Sequence, residues 1–381
     1  MNGSVLKTLV ANIRPIRFWP MSAIGFKRVF MAGAVLVAPV MATACSDGST
    51  PPIVLPPSDI HVVALATYDG SGEAVHPDVA STPAGWDGDG DTKQLFVTPY
   101  PNGDASKENP SLFTRASSLE WLVPNGVINP IARPDIGYLS DPDQVFNPET
   151  KELWLYYRGV TTQNEIFLIR GSGPSRWSAP KLVASASNHS IVSPSVVRRG
   201  AGDWLMWAVN SGSAGCSSAS TTVELRTSSD GIVWSAPVAT DLAETDVFPW
   251  HIDVEWIPSK GEFWGTYNVK IPGSCTTAAL HFARSTDGLH WNPAVGPVIQ
   301  REVIPEFADI VYRASLEYDQ VADRITLWYS GARFANSRYT WMIATEELSA
   351  ADFFARIATP PNAGTGLGVT SAPPLTDDDA P

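Results

Sequence analysis

The sequence predicts an all-β protein, a five-bladed β-propeller whose blades are four-stranded antiparallel sheets around a central channel. Two observations predict this fold. Tryptophans recur at intervals of about 57 residues, and the same order of short strand-like runs precedes each of them. Two of the repeats contain similar stretches of sequence, TSSDGIVWSAP at 227–237 and RSTDGLHWNPA at 284–294.

Four tryptophans mark four copies of the repeat: Trp121, Trp177, Trp234 and Trp291. A fifth copy, WMIATEELSAADFF, carries two phenylalanines in place of the tryptophan, as terminal repeats are commonly atypical. A β-sandwich with unrelated tryptophans would leave the constant interval unexplained. The interval therefore favours a ring of five units.

Each unit contains three runs that are rich in β-branched and aromatic residues and are bounded by Gly, Pro, Asn, Asp or Ser, which is typical of strands. We predict that the first run is the innermost strand, and its five copies are HPDVAST, SDPDQVFN, SPSVVRR, HIDVEWI and RASLEYD. A weaker fourth run follows the tryptophan, as in PKLVAS, APVATD and GPVIQ. The run IHVVALAT at 60–67 has no blade of its own, and we expect it to supply the outer strand of blade 5.

The first 45 residues have the layout of a secretory signal, with Lys27 and Arg28 before an apolar run and small residues before Cys45. The ending ATAC also resembles a bacterial lipoprotein signal, in which Cys45 is lipidated after cleavage, and translation would then begin at Met21. An ordinary cleaved signal is the alternative. We expect an exported protein of the outer membrane, cell surface or periplasm that touches a membrane only through its lipid.

The rest of the chain divides by composition. Residues 46–59 read as a Pro-rich linker, 60–357 as the propeller and 358–381 as a disordered tail. The formal net charge of −13 argues against nucleic acid as a partner, because phosphate binding needs a basic surface. We expect a monomer that binds carbohydrate.

The cysteines indicate a disulfide bond. Besides Cys45 the chain contains only Cys216 and Cys275, which occupy equivalent loops of adjacent repeats. Equivalent loops of neighbouring blades lie close together, and an exported protein permits a disulfide bond. A metal site on two thiols without CxxC spacing is the weaker alternative.

Alignment of the five innermost runs produces two polar columns. The first ring contains His76, Asp141, Ser193, His251 and Arg313, and the second ring contains Asp78, Asp143, Ser195, Asp253 and Ser315. Residues two apart share a face of a strand, so both rings are expected to face the channel. Clustered carboxylates push one another's pKa values apart, which makes this end of the channel the candidate site.

Loops predicted at the same end add further candidates. The segment TPYPNGDASKENP contributes Tyr100 and Glu108, and the matching turn of blade 2 contributes Arg158. Trp250 lies beside His251 and would either stack against a sugar ring or belong to the core. Two histidines and the ring aspartates could also hold an axial Ca²⁺ or Zn²⁺ ion.

A five-bladed propeller with carboxylates on its innermost strands resembles glycoside hydrolases of families 43, 32, 117 and 130. In families 43 and 32 the first blade carries an Asp that acts as base or nucleophile, and the second blade carries a supporting Asp. The resemblance implies the first role for Asp78 in HPDV and the second for Asp141 in SDPDQV. The S-x-D-G-x-x-W stretches also resemble the Asp boxes of sialidases, which are structural turns.

The sequence departs from this family pattern on blade 3. Where the acidic Glu would stand, the strand has Ser193 and Ser195. The general acid would then come from Glu108, Asp253 or, as the last choice, Glu255. We therefore expect a glycosidase that requires no cofactor, with a carbohydrate-binding protein without catalysis as the alternative.

Overall fold

The computed structural model describes residues 60–360 apart from 87–89, 91, 116–119, 162–163, 187, 245–246, 271–274, 276, 302–306 and 308. The predicted signal, Cys45, the linker up to residue 59 and the tail from residue 361 lie outside the described residues. Within the described part of the chain, no helix is long and apolar enough to cross a membrane.

The predicted five-bladed propeller is confirmed. Strands are numbered along the chain, and β1 (His61–Val63) precedes the first blade. Blade 1 contains β2 (Ala74–Ser81), β3 (Lys93–Pro99), β4 (Ser111–Arg115) and β5 (Trp121–Leu122). Blade 2 contains β6 (Tyr138–Asn147), β7 (Glu152–Val160), β8 (Asn164–Gly171) and β9 (Lys181–Ser185). Blade 3 contains β10 (Ile191–Gly200), β11 (Asp203–Asn210), β12 (Thr222–Ser228) and β13 (Val238–Ala239).

Blade 4 contains β14 (Phe248–Ile257), β15 (Glu262–Lys270), β16 (Thr277–Ser285) and a fourth strand in two pieces, β17 (Trp291–Pro293) and β18 (Ile299–Gln300). Both pieces pair with β16. Blade 5 contains β19 (Ile310–Asp319), β20 (Arg324–Ala335) and β21 (Arg338–Ser349). All neighbouring strands within a blade are antiparallel, and the first strand of each blade is the predicted innermost run.

The ring closes through β1, as the sequence predicts. β1 pairs with β21 in antiparallel fashion, with Val62 opposite Ala344, and so completes blade 5 with an N-terminal strand. Along the chain, β21 is followed by the helix α1 (Ala350–Ile357). The side chain of Ser349 caps the start of this helix by accepting a hydrogen bond from the Asp352 N–H. Phe353 on this helix is buried and packs edge-on against Phe282 of blade 4. The fifth repeat therefore ends in a helix that covers its neighbour.

The disulfide bond between Cys216 and Cys275 is confirmed. Their Cα atoms lie 4.8 Å apart, within the range that a disulfide spans. Cys216 lies between β11 and β12 of blade 3 and Cys275 lies between β15 and β16 of blade 4, so the bond fastens two adjacent blades.

The repeated Asp-Gly stretches are turns, as predicted. In the second copy, Asp287 Oδ1 accepts from the N–H groups of Leu289 and His290, and Ser285 Oγ accepts from the Gly288 N–H. Gly288 has a φ of +81°, a conformation that favours glycine. The turn carries Trp291, which packs edge-on against a tryptophan of blade 3 at a centroid distance of 6.1 Å.

Gly288→Ala should destabilise the propeller by about 2 to 4 kcal/mol, because a Cβ there would lie 2.7 Å from the ring of Trp207 in a strained backbone conformation. Gly261→Ala is the matched control, since Gly261 has a φ of +65° but open space around its Cβ position. Urea denaturation checks both variants. Equal losses for the two would show that the contact with Trp207 does not matter.

Candidate active site

The first ring is built on a backbone irregularity that all five blades share. The pairing of each innermost strand with its neighbour slips at this level, as in a β-bulge. His76, Asp141 and Ser193 adopt φ values of 55°, 51° and 54°, which are unusual for residues with side chains. Such strained residues persist where the surrounding structure holds them, and they concentrate at functional sites.

The centre of the first ring is a triad of His76, Asp141 and His251. Oδ1 of Asp141 lies 3.4 Å from Nε2 of His76 and 3.0 Å from Nδ1 of His251. One ligand atom from each residue lies within 4.8 Å of the other two. None of the three residues is more than 3% exposed. The structure thus unites three predicted residues from three different blades.

Asp141 is held as an anion. Burial alone would raise the pKa of this carboxyl, but its electrostatic interactions with His76, His251 and, to a smaller extent, Arg313 outweigh burial and hold its pKa well below the usual range. Nη1 of Arg313 lies 3.7 Å from Oδ1, and the Ser193 N–H donates to Oδ2 at 3.3 Å. The predicted Arg158 is more distant, with its Nη1 4.0 Å from Oδ2.

His251 is held neutral. Burial lowers the pKa of its imidazole to about 4, even though Asp141 raises it. Its backbone N–H donates to Oδ1 of Asn268 at 2.6 Å. By hydrogen-bond geometry, Nε2 of His76, Oδ1 of Asp141 and both ring nitrogens of His251 have no partner among the described residues. A neutral imidazole beside a carboxylate, each with unsatisfied atoms, can bind a cation.

Glu108 approaches the triad from the β3–β4 connection. Its Oε2 lies 3.2 Å from Nδ1 of His76 and accepts from the Thr98 hydroxyl at 3.2 Å. Thr98 Oγ1 is itself 3.0 Å from Nδ1 of His76. Contacts on Nδ1 orient the ring so that Nε2 faces Asp141.

The second ring connects neighbouring blades. Each member accepts a backbone N–H from the innermost strand of the next blade, and the five bonds close a circle. The donors and acceptors are Gln144 to Asp78 (2.8 Å), Val196 to Asp143 (2.8 Å), Val254 to Ser195 (2.9 Å), Leu316 to Asp253 (3.2 Å) and Val79 to Ser315 (3.2 Å). These side chains therefore act in holding the propeller together.

The carboxyl groups of the second ring have raised pKa values. Burial, and then repulsion from Asp253, raise the pKa of Asp78 to about 8. Burial likewise raises the pKa of Asp253 to about 6, and burial together with Asp78 raises that of Asp143. Arg313 opposes these shifts, with its Nη2 3.8 Å from Asp143 Oδ1. The first ring thus holds a carboxyl with a depressed pKa, and the second ring holds carboxyls with raised pKa values.

Two predicted contact residues lie in the core. Trp250 is 2% exposed, donates from Nε1 to the Tyr312 hydroxyl at 3.4 Å and lies under the Lys270 ammonium, so the structure decides for the core alternative. Tyr100 is 8% exposed and packs edge-on against Trp341. Neither aromatic face is open to a sugar.

Sequence reasoning missed Thr98, Asn268 and Tyr312. The centroid of the Tyr312 ring lies 4.5 Å from the ring centroid of His251 and 5.3 Å from that of His76. Its position directly before Arg313 was the signal that could have found it. Thr98 and Asn268 come from the second strands β3 and β15, which the alignment of innermost runs did not include.

Comparison with known proteins finds similarity to a sugar deacetylase and to a glycoside hydrolase. No model of a known protein family matches the sequence. The chain is 25% identical over 309 residues to the A type blood N-acetyl-alpha-D-galactosamine deacetylase of Flavonifractor plautii, a match that covers 68% of this chain and 40% of that protein. The chain thus spans about 40% of the length of this curated relative.

Solved structures share the propeller. A crystal structure of an N-acetylgalactosamine deacetylase from F. plautii, in complex with blood group B trisaccharide, has a TM-score of 0.67 at 23% identity and covers 74% of this chain and 91% of that one. A thermostable family-43 glycoside hydrolase has a TM-score of 0.51 at 12% identity, covering 71% and 88%. The protein has the glycoside hydrolase-like five-bladed fold. The resemblance predicted from the sequence is confirmed at this level.

Proposed function

We propose that the protein is an exported, carbohydrate-active hydrolase that removes an acetyl group from an N-acetylated sugar with the help of a divalent metal ion. The observation that carries this proposal is the buried triad of His76, Asp141 and His251, whose facing atoms lack hydrogen-bond partners among the described residues. The sequence similarity to a deacetylase is the second support.

The triad fits a transition-metal ion. Two imidazoles and one carboxylate are ligands that Zn²⁺ and similar divalent ions prefer, whereas Ca²⁺ favours oxygen ligands alone. His76 would bind through Nε2, Asp141 through Oδ1 and His251 through one ring nitrogen. The depressed pKa values of Asp141 and His251 keep both groups in the forms that coordinate.

The chemistry is hydrolysis of an amide. Water adds to the acetyl carbonyl carbon, the carbon–nitrogen bond breaks, acetate leaves and the sugar amine takes up the proton. A bound divalent ion would polarise the carbonyl oxygen and lower the pKa of water. Glu108 and Thr98 hold the His76 ring in place, and the two imidazoles, assisted by Arg313, hold the pKa of Asp141 low.

Glycoside hydrolysis, the function expected from the sequence, is the second candidate. His76 lies between the carboxyl groups of Glu108 and Asp141, so those groups are no more than roughly 9 Å apart, a spacing suited to an acid and a base. The imidazole fills the space between them, however, and the predicted Asp78 and Asp253 are bonded to neighbouring blades. Amide hydrolysis therefore ranks first.

The deciding experiment incubates the purified protein with p-nitrophenyl glycosides of N-acetylgalactosamine and N-acetylglucosamine, before and after treatment with EDTA. We expect acetate release that EDTA abolishes and Zn²⁺ restores. Release of nitrophenol without acetate would replace the proposal with glycoside hydrolysis. Sugar binding without either product would favour the non-catalytic carbohydrate-binding alternative.

A further inference from the structure

The groove between blades 2 and 3 differs from the equivalent grooves of the same propeller. The repeat tryptophans of blades 2 and 4 have satisfied indole N–H groups: Trp177 donates to Pro174 O at 2.7 Å, and Trp291 donates to Gly288 O at 3.0 Å. In blade 3, Nε1 of Trp234 has no hydrogen-bond partner among the described residues. The indole N–H of Trp234 therefore lacks the hydrogen bond that the equivalent tryptophans of blades 2 and 4 make.

A cavity of about 520 Å³ lies at this same place. It runs between the outer strand β9 of blade 2 and the turn that follows β12 of blade 3, and its lining includes Ala184, Ala186, Asn188, Arg226, Trp234 and Ala236. In the preceding blade, Trp177 is instead covered by Trp86, at a centroid distance of 6.3 Å. An aromatic ring with polar neighbours in a groove is a surface against which a sugar ring stacks.

Arg226 is the second departure from the repeat. In the register of the third strands it stands where blades 1, 2 and 4 have the buried apolar residues Phe113, Ile169 and Ala283. Blade 5 has a buried charge at this position, Glu346, but its carboxylate is paired with Arg356. Arg226 is only 3% exposed, and its Nη1 has no hydrogen-bond partner among the described residues. A buried donor without a partner is costly, so a charged residue at this position requires a reason.

The charge of Arg226 is balanced inside the protein. Its Nη2 donates to Oε2 of Glu224 at 3.2 Å, and Asn210 donates to the other oxygen at 2.7 Å. His189, which also lines the cavity, lies 3.4 Å from the same carboxylate. The cavity is therefore close to neutral and offers N–H donors, which suits an uncharged ligand with hydroxyl or carbonyl acceptors.

A chain of polar contacts links the wall of the cavity to the first ring. The residue after His189 is Ser190, whose hydroxyl accepts from the Asn164 side chain at 2.9 Å. Asn164 Oδ1 accepts from Nε of Arg158 at 2.9 Å, and Arg158 faces Asp141 of the triad. The wall of the cavity and the triad thus belong to one network of polar contacts in blades 2 and 3.

We propose that this cavity is a second carbohydrate-binding site, which holds an uncharged sugar unit of a polysaccharide through stacking on Trp234 and hydrogen bonds from Arg226 and Asn188. The choice of a sugar as occupant rests on the proposed function. The site anchors the polymer while another unit reaches the channel.

Ala236→Trp tests the site, because Ala236 is exposed at the cavity wall and a larger side chain there fills the groove without disturbing the core. The matched control is Ala179→Trp in the same WSAP motif one blade earlier. In both motifs a serine hydroxyl donates to the alanine carbonyl, at 3.0 Å for Ala236 and 3.1 Å for Ala179. Native electrophoresis in gels that contain mucin, partly acetylated chitosan, xylan or pectin measures binding.

We expect at least one polymer to retard the wild type, Ala236→Trp to raise the dissociation constant at least about tenfold, and Ala179→Trp to leave it unchanged. His251→Ala should still be retarded, which separates this site from the channel, and Ala236→Trp should keep the wild-type kcat on the small p-nitrophenyl substrates. Binding by Ala236→Trp equal to the wild type, or no retardation of the wild type in any gel, would overturn the proposal. If the protein shows no hydrolase activity but is still retarded, and Ala236→Trp abolishes the retardation, the second binding site is upheld and the proposed function is refuted.

Discussion

His251→Ala should yield a protein without stoichiometric divalent metal and should lower the rate of acetate release at least about 100-fold. The reason is geometric. His251 contributes one of three side chains whose ligand atoms lie within 4.8 Å of one another, and its burial keeps the imidazole neutral and ready to coordinate. Elemental analysis of the purified protein gives the metal content, and the p-nitrophenyl substrates give the rate.

The matched control for this variant is His290→Ala. His290 is exposed on the blade 4 turn, where its Nδ1 lies 2.7 Å from Asp287, and it should affect neither metal content nor rate. Circular dichroism and thermal unfolding test whether His251→Ala retains the propeller. A folded His251→Ala protein that holds as much metal as the wild type would contradict the assignment of the triad.

Asp78→Asn should flatten the dependence of stability on pH. The folded protein holds the Asp78 proton with a pKa of about 8, above its value in the unfolded chain. The folded state therefore binds more protons than the unfolded state between these values, and the free energy of unfolding falls as pH rises through this range. Asparagine keeps an oxygen that can accept from the Gln144 N–H, but it has no charge to bury. The melting temperature of the Asp78→Asn protein at pH 8.5 should therefore exceed that of the wild type by on the order of 5 °C.

Asp78→Ala is the informative partner of this variant. It removes the acceptor for the Gln144 N–H as well as the charge, so it should be less stable than Asp78→Asn at every pH. The same preparations decide the catalytic role that the family resemblance implies for Asp78. If Asp78→Asn shows the wild-type slope of stability with pH, the account of the second ring is wrong; if it is stable but inactive, Asp78 belongs to the reaction.

Local patterns predicted the fold because each blade repeats the same short-range rules. A tryptophan after an Asp-Gly turn recurs with the spacing of a four-stranded unit, and the first strand-like run of each unit is the innermost strand. The same register predicted that β1 closes blade 5 and that Cys216 meets Cys275. These contacts lie between equivalent positions of neighbouring repeats, so a one-dimensional alignment is sufficient to find them.

The sequence alone determined which side chains reach the axis of the propeller, because strand periodicity and a constant repeat bring equivalent positions to one ring. Only the tertiary structure decided what they do there. It separated the ionised Asp141, between two imidazoles and an arginine, from Asp78, which is bonded to the next blade and tends to keep its proton. It also buried Trp250 and left Trp234 beside a cavity. Burial, charge environment and hydrogen-bond partners come from chain segments far apart in sequence, so no local pattern records them.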